Sequence, residues 1–237
     1  MSHDPDIFGN AITDYYNKQP QGVLIVHSSI AEDDEIALPY LFRSYDDMPQ
    51  IEQKALDLAK GSILDVGCGA GAHSVYLHEK GFSVTAIDTS AGAIAICKQR
   101  GVLNAYELDL LRFRESEFDT IYLLMNGTGI FESLETVSLY LSHLKKILSK
   151  NGQVLIDSSD IKYMFEDDEG NFIFDDLEVY YGEVDFQLSY GGETSKVFQW
   201  LYMDFEKLKT YADAAGFKCE LVTEGPHYDY LARLTHR

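Results

Sequence analysis

From residue 61 onward, short apolar runs alternate with stretches of helical period. Unbroken apolar runs lie at 62–66 (SILDV), 82–87 (FSVTAI), 103–108, 119–125 (DTIYLLM) and 153–157 (QVLID). Runs of this kind read as strands buried on both faces. Segments 71–79, 90–100 and 132–149 between them have helix length, and Ser90 opens the second as an N-cap. Strands separated by helices predict an α/β chain with a doubly wound, mostly parallel sheet. The end of the chain differs. Val184, Phe186, Leu188 and Tyr190 alternate with Glu183, Asp185, Gln187 and Ser189, and a GGETS turn leads into KVFQWLYM, which predicts an inserted β-hairpin over about 178–203. A helix at 204–215 and strands at 217–223 and 228–234 follow, so the sheet is expected to finish with one antiparallel strand.

The first 60 residues form an irregular, Tyr-rich leader. Its one clear helix is 49–60, where Pro49 opens the element and Ile51, Ala55, Leu56 and Ala59 share a face. No repeat or low-complexity linker interrupts the chain. One domain over 1–237 is expected, with 1–60 as leader and 61–237 as core.

The turn after the first core strand reads Asp65-Val66-Gly67-Cys68-Gly69-Ala70-Gly71. Glycine at a strand-to-helix turn permits positive φ and lets a ligand lie against the backbone. The turn also aims the free N–H groups of the next helix at a pocket. Asp88 stands at the end of the second strand, 21 residues after Gly67, where a carboxylate can accept both hydroxyl hydrogens of a ribose. The glycine turn and Asp88 together predict a nucleoside-bearing ligand. A third acid, Asp109, follows the third strand, where it reads equally as a solvated cap or as a site residue.

The chain carries 19 Lys and Arg against 39 Asp and Glu, for a net charge of −20. That balance disfavours nucleic acid and anionic membrane surfaces as partners, because both are bound through basic side chains. No apolar run approaches the roughly 20 residues of a membrane span, and the N-terminal residues lack a signal-peptide pattern. Cys68, Cys97 and Cys219 are odd in number and show no CxxC pair, which points to a reducing, cytoplasmic setting.

These positions resemble the class I S-adenosylmethionine-dependent methyltransferases of small-molecule type, over about residues 60–237. The string 65–71 is similar to that family's first motif, an acid two residues before a GxGxG loop that wraps the methionine end of the cofactor. The resemblance implies a Rossmann-like seven-stranded sheet and S-adenosyl-L-methionine as cofactor. It places Asp65 near the methionine amino group and Gly67, Cys68, Gly69 and Gly71 against the cofactor. Asp88 matches the ribose-binding acid, with Thr89 or Ser90 beside the adenine, and Asp109 and Leu110 match the adenine-edge motif. Asn126 in FDTIYLLMNG matches the position where methyl donor meets acceptor. Because an N-terminal helical lid covers the cofactor in many such proteins, Tyr15, Tyr16, Tyr40, Phe42 and Arg43 are lid candidates, with Arg43 pairing the donor's carboxylate.

Methyl transfer from a sulfonium rests mainly on alignment and exclusion of water, so no catalytic residue is assigned. Substrate candidates are Asp157 and Ser158 in IDSSDI, and Tyr190 and Trp200 on the hairpin, where aromatics can wall a flat molecule; for each, packing or a solvated turn is the competing reading. His73 reads as a hydrogen-bonded histidine at a helix start or as a pocket residue. No metal is expected, since Asp157 and Asp160 lack a third ligand nearby and no HxH or HExxH spacing occurs. After the fourth strand the chain reads Met125-Asn126-Gly127-Thr128 and lacks the Pro-Pro-aromatic string of DNA adenine methylation. A methyltransferase acting on a small molecule is therefore expected. A nicotinamide-dependent oxidoreductase, which Gly67, Gly69 and Ala72 also suit, and a non-catalytic binding module are the alternatives.

Overall fold

The computed structural model of the chain describes residues 5–114, 117–166 and 180–237. Two sheets are built from these elements. The leader contributes α1 (Ile7–Tyr16), β1 (Leu24–Ser28), β2 (Asp34–Ile36) and α2 (Gln50–Asp57). The core then runs β3 (Ser62–Val66), α3 (Ala72–Glu79), β4 (Ser83–Asp88), α4 (Ala91–Gln99), β5 (Ala105–Glu107), β6 (Phe118–Leu123), α5 (Leu134–Ile147) and β7 (Leu148–Ser159). The chain closes with β8 (Glu183–Tyr190), β9 (Glu193–Thr194), β10 (Phe198–Leu201), α6 (Phe205–Ala214), β11 (Phe217–Glu224) and β12 (Asp229–His236).

The larger sheet has the order β11-β12-β7-β6-β3-β4-β5. Strands β7, β6, β3, β4 and β5 are parallel, and β12 runs antiparallel to both β7 and β11. This is the mostly parallel sheet with one reversed strand that the sequence pattern predicts, with the seven strands and Rossmann-like order that the resemblance implies. Successive side chains on a strand point to opposite faces, and the core divides accordingly. Leu64, Val66, Ile121, Leu123, Val154 and Ile156 pack under α5 and α6. Ile63, Val84, Ala86, Tyr122 and Leu155 pack under α2, α3 and α4.

The leader and hairpin depart from expectation. The leader is not only helical: β1 pairs with β8 antiparallel, Val26 opposite Leu188, and β2 adds to its other side. The hairpin is therefore no isolated insert but the middle of a second sheet, β10-β8-β1-β2, with β9 also on β8. The physical cause is the free edge of β8, whose unpaired N–H and C=O groups need a partner strand. Residues 1–4 of the leader and 178–179 of the expected insert lie outside the described residues. Gly191 and Gly192, both at positive φ, make the two-residue turn from β8 to β9.

Asp6 ties the leader to the large sheet. Its Oδ1 accepts the Gly9 N–H at 2.9 Å and so caps α1, while Oδ2 accepts from Ser90 Oγ and the Gly92 N–H at the start of α4, each at 2.9 Å. The two helices touch through bare backbone, since a Cβ on Gly92 would lie 2.5 Å from the Gly9 Cα.

Candidate functional site

The carboxyl ends of β6, β3, β4 and β5 lie side by side, and the strand order reverses between β3 and β6. Ligands of open α/β sheets bind at such a point. Between β3 and α3 the loop 67–71 carries glycines at φ +70°, +52° and +81°. The N–H groups of Gly67 and Cys68 both donate to the Ile87 carbonyl, which pins the loop to β4. A Cβ at Gly67 would lie 3.2 Å from Ile130 Cδ1 on one side. A Cβ at Gly71 would lie 2.9 Å from Cys97 Sγ. The loop thus packs closely against Ile130 at Gly67 and against Cys97 at Gly71. The Cys68 thiol is buried, and its hydrogen bond with Cys97 together with burial pushes its pKa up, so it stays a neutral packing group.

Asp88 ends β4. Its Oδ2 accepts the Gly69 N–H and its Oδ1 accepts the Ser90 N–H, both at 2.9 Å. Burial raises its pKa, while these two N–H groups oppose the rise. Each oxygen keeps a lone pair beyond its bond, and two hydroxyls of a sugar fit such a carboxylate. Thr89 beside it is exposed. Asp109 caps the short turn Leu110–Arg112, accepting the Leu111 N–H at 2.7 Å, and Leu110 is buried. Asp65 lies beneath the loop, only 2% exposed, where it accepts a 2.6 Å bond from Ser74 Oγ. Burial pushes its carboxyl up, with His73 and Ser74 counteracting. Gly67, Cys68, Gly69, Gly71, Asp88, Thr89, Asp109, Leu110 and Asn126 therefore share one edge, with Asp65 one layer below.

Past β6, Met125 and Asn126 are consecutive non-glycine residues at φ +67° and +58°. Two such residues in sequence are costly and persist only where the surroundings hold them. Here Asp157 on β7 holds them: Oδ2 accepts the Met125 N–H at 3.1 Å and Oδ1 the Gly127 N–H at 2.9 Å. Burial raises the Asp157 pKa to about 6. Ser159 Oγ donates to Asn126 Oδ1 at 3.0 Å. Thr128 Oγ1 donates to the Leu201 carbonyl at 2.8 Å and accepts from Ser158 Oγ at 2.6 Å, and Ser158 Oγ in turn accepts the Met203 N–H at 2.9 Å. Asp157 and Ser158 thus stand behind the turn and bind it to β7 and β10.

Arg43 comes to this edge from the leader. Its Nη2 lies 2.5 Å from Glu52 Oε2, its Nη1 donates to the Tyr40 carbonyl at 2.7 Å, and its guanidinium sits 4.0 Å over the Tyr40 ring. Glu52 Oε2 also lies 2.7 Å from His73 Nε2. Burial pushes Glu52 upward, but His73 and Arg43 outweigh it and hold the carboxyl below its ordinary value. Arg43 is 6% exposed, and its Nε–H has no partner among the described residues. A buried, orphaned guanidinium donor suits a carboxylate ligand. Phe8 of α1 stands against the loop, 3.7 Å from where a Gly69 Cβ would be.

Of the hairpin candidates, Trp200 reaches the edge: its indole lies on Gly129, in the single turn Gly127–Phe131. Tyr190 does not. It is buried at the far end of β8, its hydroxyl donating to Asp14 and accepting the Gln21 N–H, beside a separate polar cleft that Asn10 and Glu193 also line. Sequence reasoning missed Glu52 and Asp6. Glu52 carried a signal, an acid three and four residues before Ala55 and Leu56 on the apolar stripe of a helix. Among the described residues no group of three or more His, Cys, Asp or Glu could hold a metal ion, and no helix is long and apolar enough to cross a membrane.

Comparison with known proteins adds five findings. Residues 64–156 match a family model described as a methyltransferase domain. The ubiquinone biosynthesis O-methyltransferase of Rickettsia conorii is 32% identical over 111 residues, 45% of this chain and 38% of the relative. The putative methyltransferase YqeM of Bacillus subtilis is 30% identical over 105 residues, 41% of this chain and 42% of the relative. The chain thus spans about two fifths of these curated relatives. A crystal structure of an S-adenosylmethionine-dependent methyltransferase from Bacteroides fragilis, in complex with S-adenosyl-L-homocysteine, superposes with a TM-score of 0.91 at 44% identity, covering all of this chain and 97% of that one. DesVI of Streptomyces venezuelae is similar in fold, with a TM-score of 0.57 at 18% identity over 84% of this chain and 96% of that one.

Proposed function

The chain belongs to the S-adenosylmethionine-dependent methyltransferases and transfers a methyl group from that donor, and on that premise we propose that its acceptor is a small molecule and that loop 67–71, Asp88, Asp109 and Arg43 hold the donor. The nicotinamide and non-catalytic readings give way to this membership. The buried Nε–H of Arg43, unpartnered among the described residues, carries the donor assignment, because it offers the donor's carboxylate a charge-assisted bond. Gly67 and Gly69, lacking side chains, let the methionine chain approach the backbone closely. Asp88 has a lone pair on each oxygen for the ribose hydroxyls, and Asp109 with the Leu110 backbone is at hand for the adenine. Asn126 belongs to the turn where acceptor meets methyl. When bound, S-adenosylmethionine supplies an electrophilic methyl on sulfonium; the chain's part is to orient it and exclude water.

A net charge of −20 supports an acceptor other than nucleic acid. Three buried free cysteines support a cytoplasmic setting. The Asp6 contacts between α1 and α4 support treating leader and core as one domain, 1–237.

Thermal melting with S-adenosylhomocysteine tests the donor site. At about 100 times its dissociation constant the ligand adds about 2.7 kcal/mol of stability to the wild type. Asp88→Ala abolishes the shift, and Arg43→Met weakens binding by about 1.5–3 kcal/mol, as for loss of a charged hydrogen bond. Unchanged affinity in both variants overturns the assignment.

A further inference from the structure

Resting on the methyl-transfer reading above, we propose that the acceptor is a planar ring compound without negative charge, held against Trp200 on an aromatic strip beside the turn after β6. A Cβ on Gly129 would lie 1.9 Å from Trp200 Cε2, 2.2 Å from Nε1 and 2.3 Å from Cδ2, so the indole rests directly on bare backbone. The next residue, Ile130, covers Gly67 of the donor loop. Trp200 therefore stands one residue away from the contact that backs the donor, which is where the ring of an acceptor must end.

From Trp200 the strip continues without interruption. The Phe198 ring meets Trp200 at 6.5 Å and 78°, Phe186 meets Phe198 at 6.2 Å, and Tyr202 meets Phe186 at 6.4 Å and 78°. The register explains it: Phe186 pairs with Phe198 and Val184 with Trp200, so all four side chains share one face of the second sheet. Burial on that face is uneven: Leu24 and Tyr190 lie under α1 and Val184 is 1% exposed, while Trp200 is half-buried and Phe198 is 36% exposed.

A row of ring edges and faces gains from a flat, polarisable partner, each aromatic pair adding about 0.5–1.5 kcal/mol beyond the area it buries. A saturated polyol would leave hydroxyls unpaired on the same surface. Charge selects further. Asp157 lies behind the turn, and Asp160 and Asp204 take the hydroxyls of Tyr181 and Tyr180 beside the strip. An anionic acceptor meets these carboxylates as well as the net charge of the chain. In the reaction so arranged, a lone pair on a ring-borne oxygen or nitrogen forms the bond to the methyl carbon. The carbon–sulfur bond breaks with its electron pair left on sulfur, which becomes a neutral sulfide, and the heteroatom's proton passes to water.

Trp200 is the only tryptophan in the chain, so its emission reports on the strip alone. Wild-type protein saturated with S-adenosylhomocysteine is titrated with catechol, 3-hydroxypyridine, glucosamine and 4-hydroxybenzoate. The same compounds are then incubated with S-adenosylmethionine, and S-adenosylhomocysteine formation is measured. Catechol or 3-hydroxypyridine should quench saturably and be methylated, and glucosamine and 4-hydroxybenzoate should do neither. Trp200→Ala should lower kcat/KM for the planar acceptor by about tenfold or more while calorimetry finds the S-adenosylhomocysteine affinity within about twofold of wild type. Preferred turnover of glucosamine or 4-hydroxybenzoate, saturable quenching by neither planar compound, or unchanged turnover in Trp200→Ala overturns the acceptor class. Failure of the wild type to bind S-adenosylhomocysteine overturns instead the donor reading beneath it.

Discussion

Replacing Glu52 by glutamine removes one charge from the buried centre that joins leader, α2 and α3. The Glu52 side chain is 4% exposed and that of Arg43 3%. A single carboxylate oxygen, Oε2, serves both Arg43 Nη2 at 2.5 Å and His73 Nε2 at 2.7 Å. Glutamine has the same outline, so Glu52→Gln opens no cavity and isolates the charge. Breaking one partner of a buried pair leaves an uncompensated ion, which costs about 3–5 kcal/mol. In a chain of this length each kcal/mol moves Tm by about 2–4 °C, so calorimetry should record a fall of about 6–20 °C. The pH dependence has a definite sign. His73 and Arg43 hold the folded-state carboxyl below its ordinary 4.5 in spite of burial. A depressed carboxylate contributes stability above its unfolded-state pKa and loses it as the pH falls through the folded value. The gap between wild type and variant should be full at neutral pH and close progressively below about pH 4.5. Adding Arg43→Met removes the orphaned cation, and the double variant should lose less than the sum of the two singles. A Tm within about 2 °C of wild type at neutral pH, or strict additivity, would refute the account.

Two further outcomes follow from the site. Burial sets the Asp157 pKa at about 6 against an ordinary 3.8; the folded state thus holds its proton more tightly, and the stability this carboxyl contributes is greatest in acid and lost as the pH rises through 6. Between pH 5 and pH 7 wild type should lose about 1 kcal/mol relative to Asp157→Asn in urea unfolding, and parallel pH curves would contradict the assignment. Gly71→Ala puts a Cβ 2.9 Å from Cys97 Sγ at a residue with φ +81°, so the left-handed backbone and the contact together should cost about 1–3 kcal/mol of stability in urea unfolding; a neutral result would mean that the loop relaxes freely.

Much of the core is legible in local pattern, because each parallel strand is buried on both faces and so is written as an unbroken apolar run. SILDV, FSVTAI and QVLID mark β3, β4 and β7, and Ser90 opens α4, its side chain accepting the Ala93 N–H at 3.0 Å. The edge that gathers Gly67, Gly69, Asp88, Asp109 and Asn126 follows once those strands are parallel, since their carboxyl ends must coincide.

What the sequence could not decide are contacts whose two halves lie far apart in the chain. The pairing of Leu24–Ser28 with β8 joins segments separated by about 160 residues, and nothing local distinguishes β1 from other short apolar runs in a Tyr-rich leader. Trp200 and Tyr190 stand on the same face of one sheet and share the same alternation, yet only the three-dimensional path brings one to the turn after β6 and buries the other under α1. Asp157 looks like a free polar residue in IDSSDI, and only the fold reveals that two N–H groups of a left-handed turn occupy it. Hydrophobic period records which face of an element is dry; it carries no record of which distant element covers that face, and that is what the tertiary structure alone supplies.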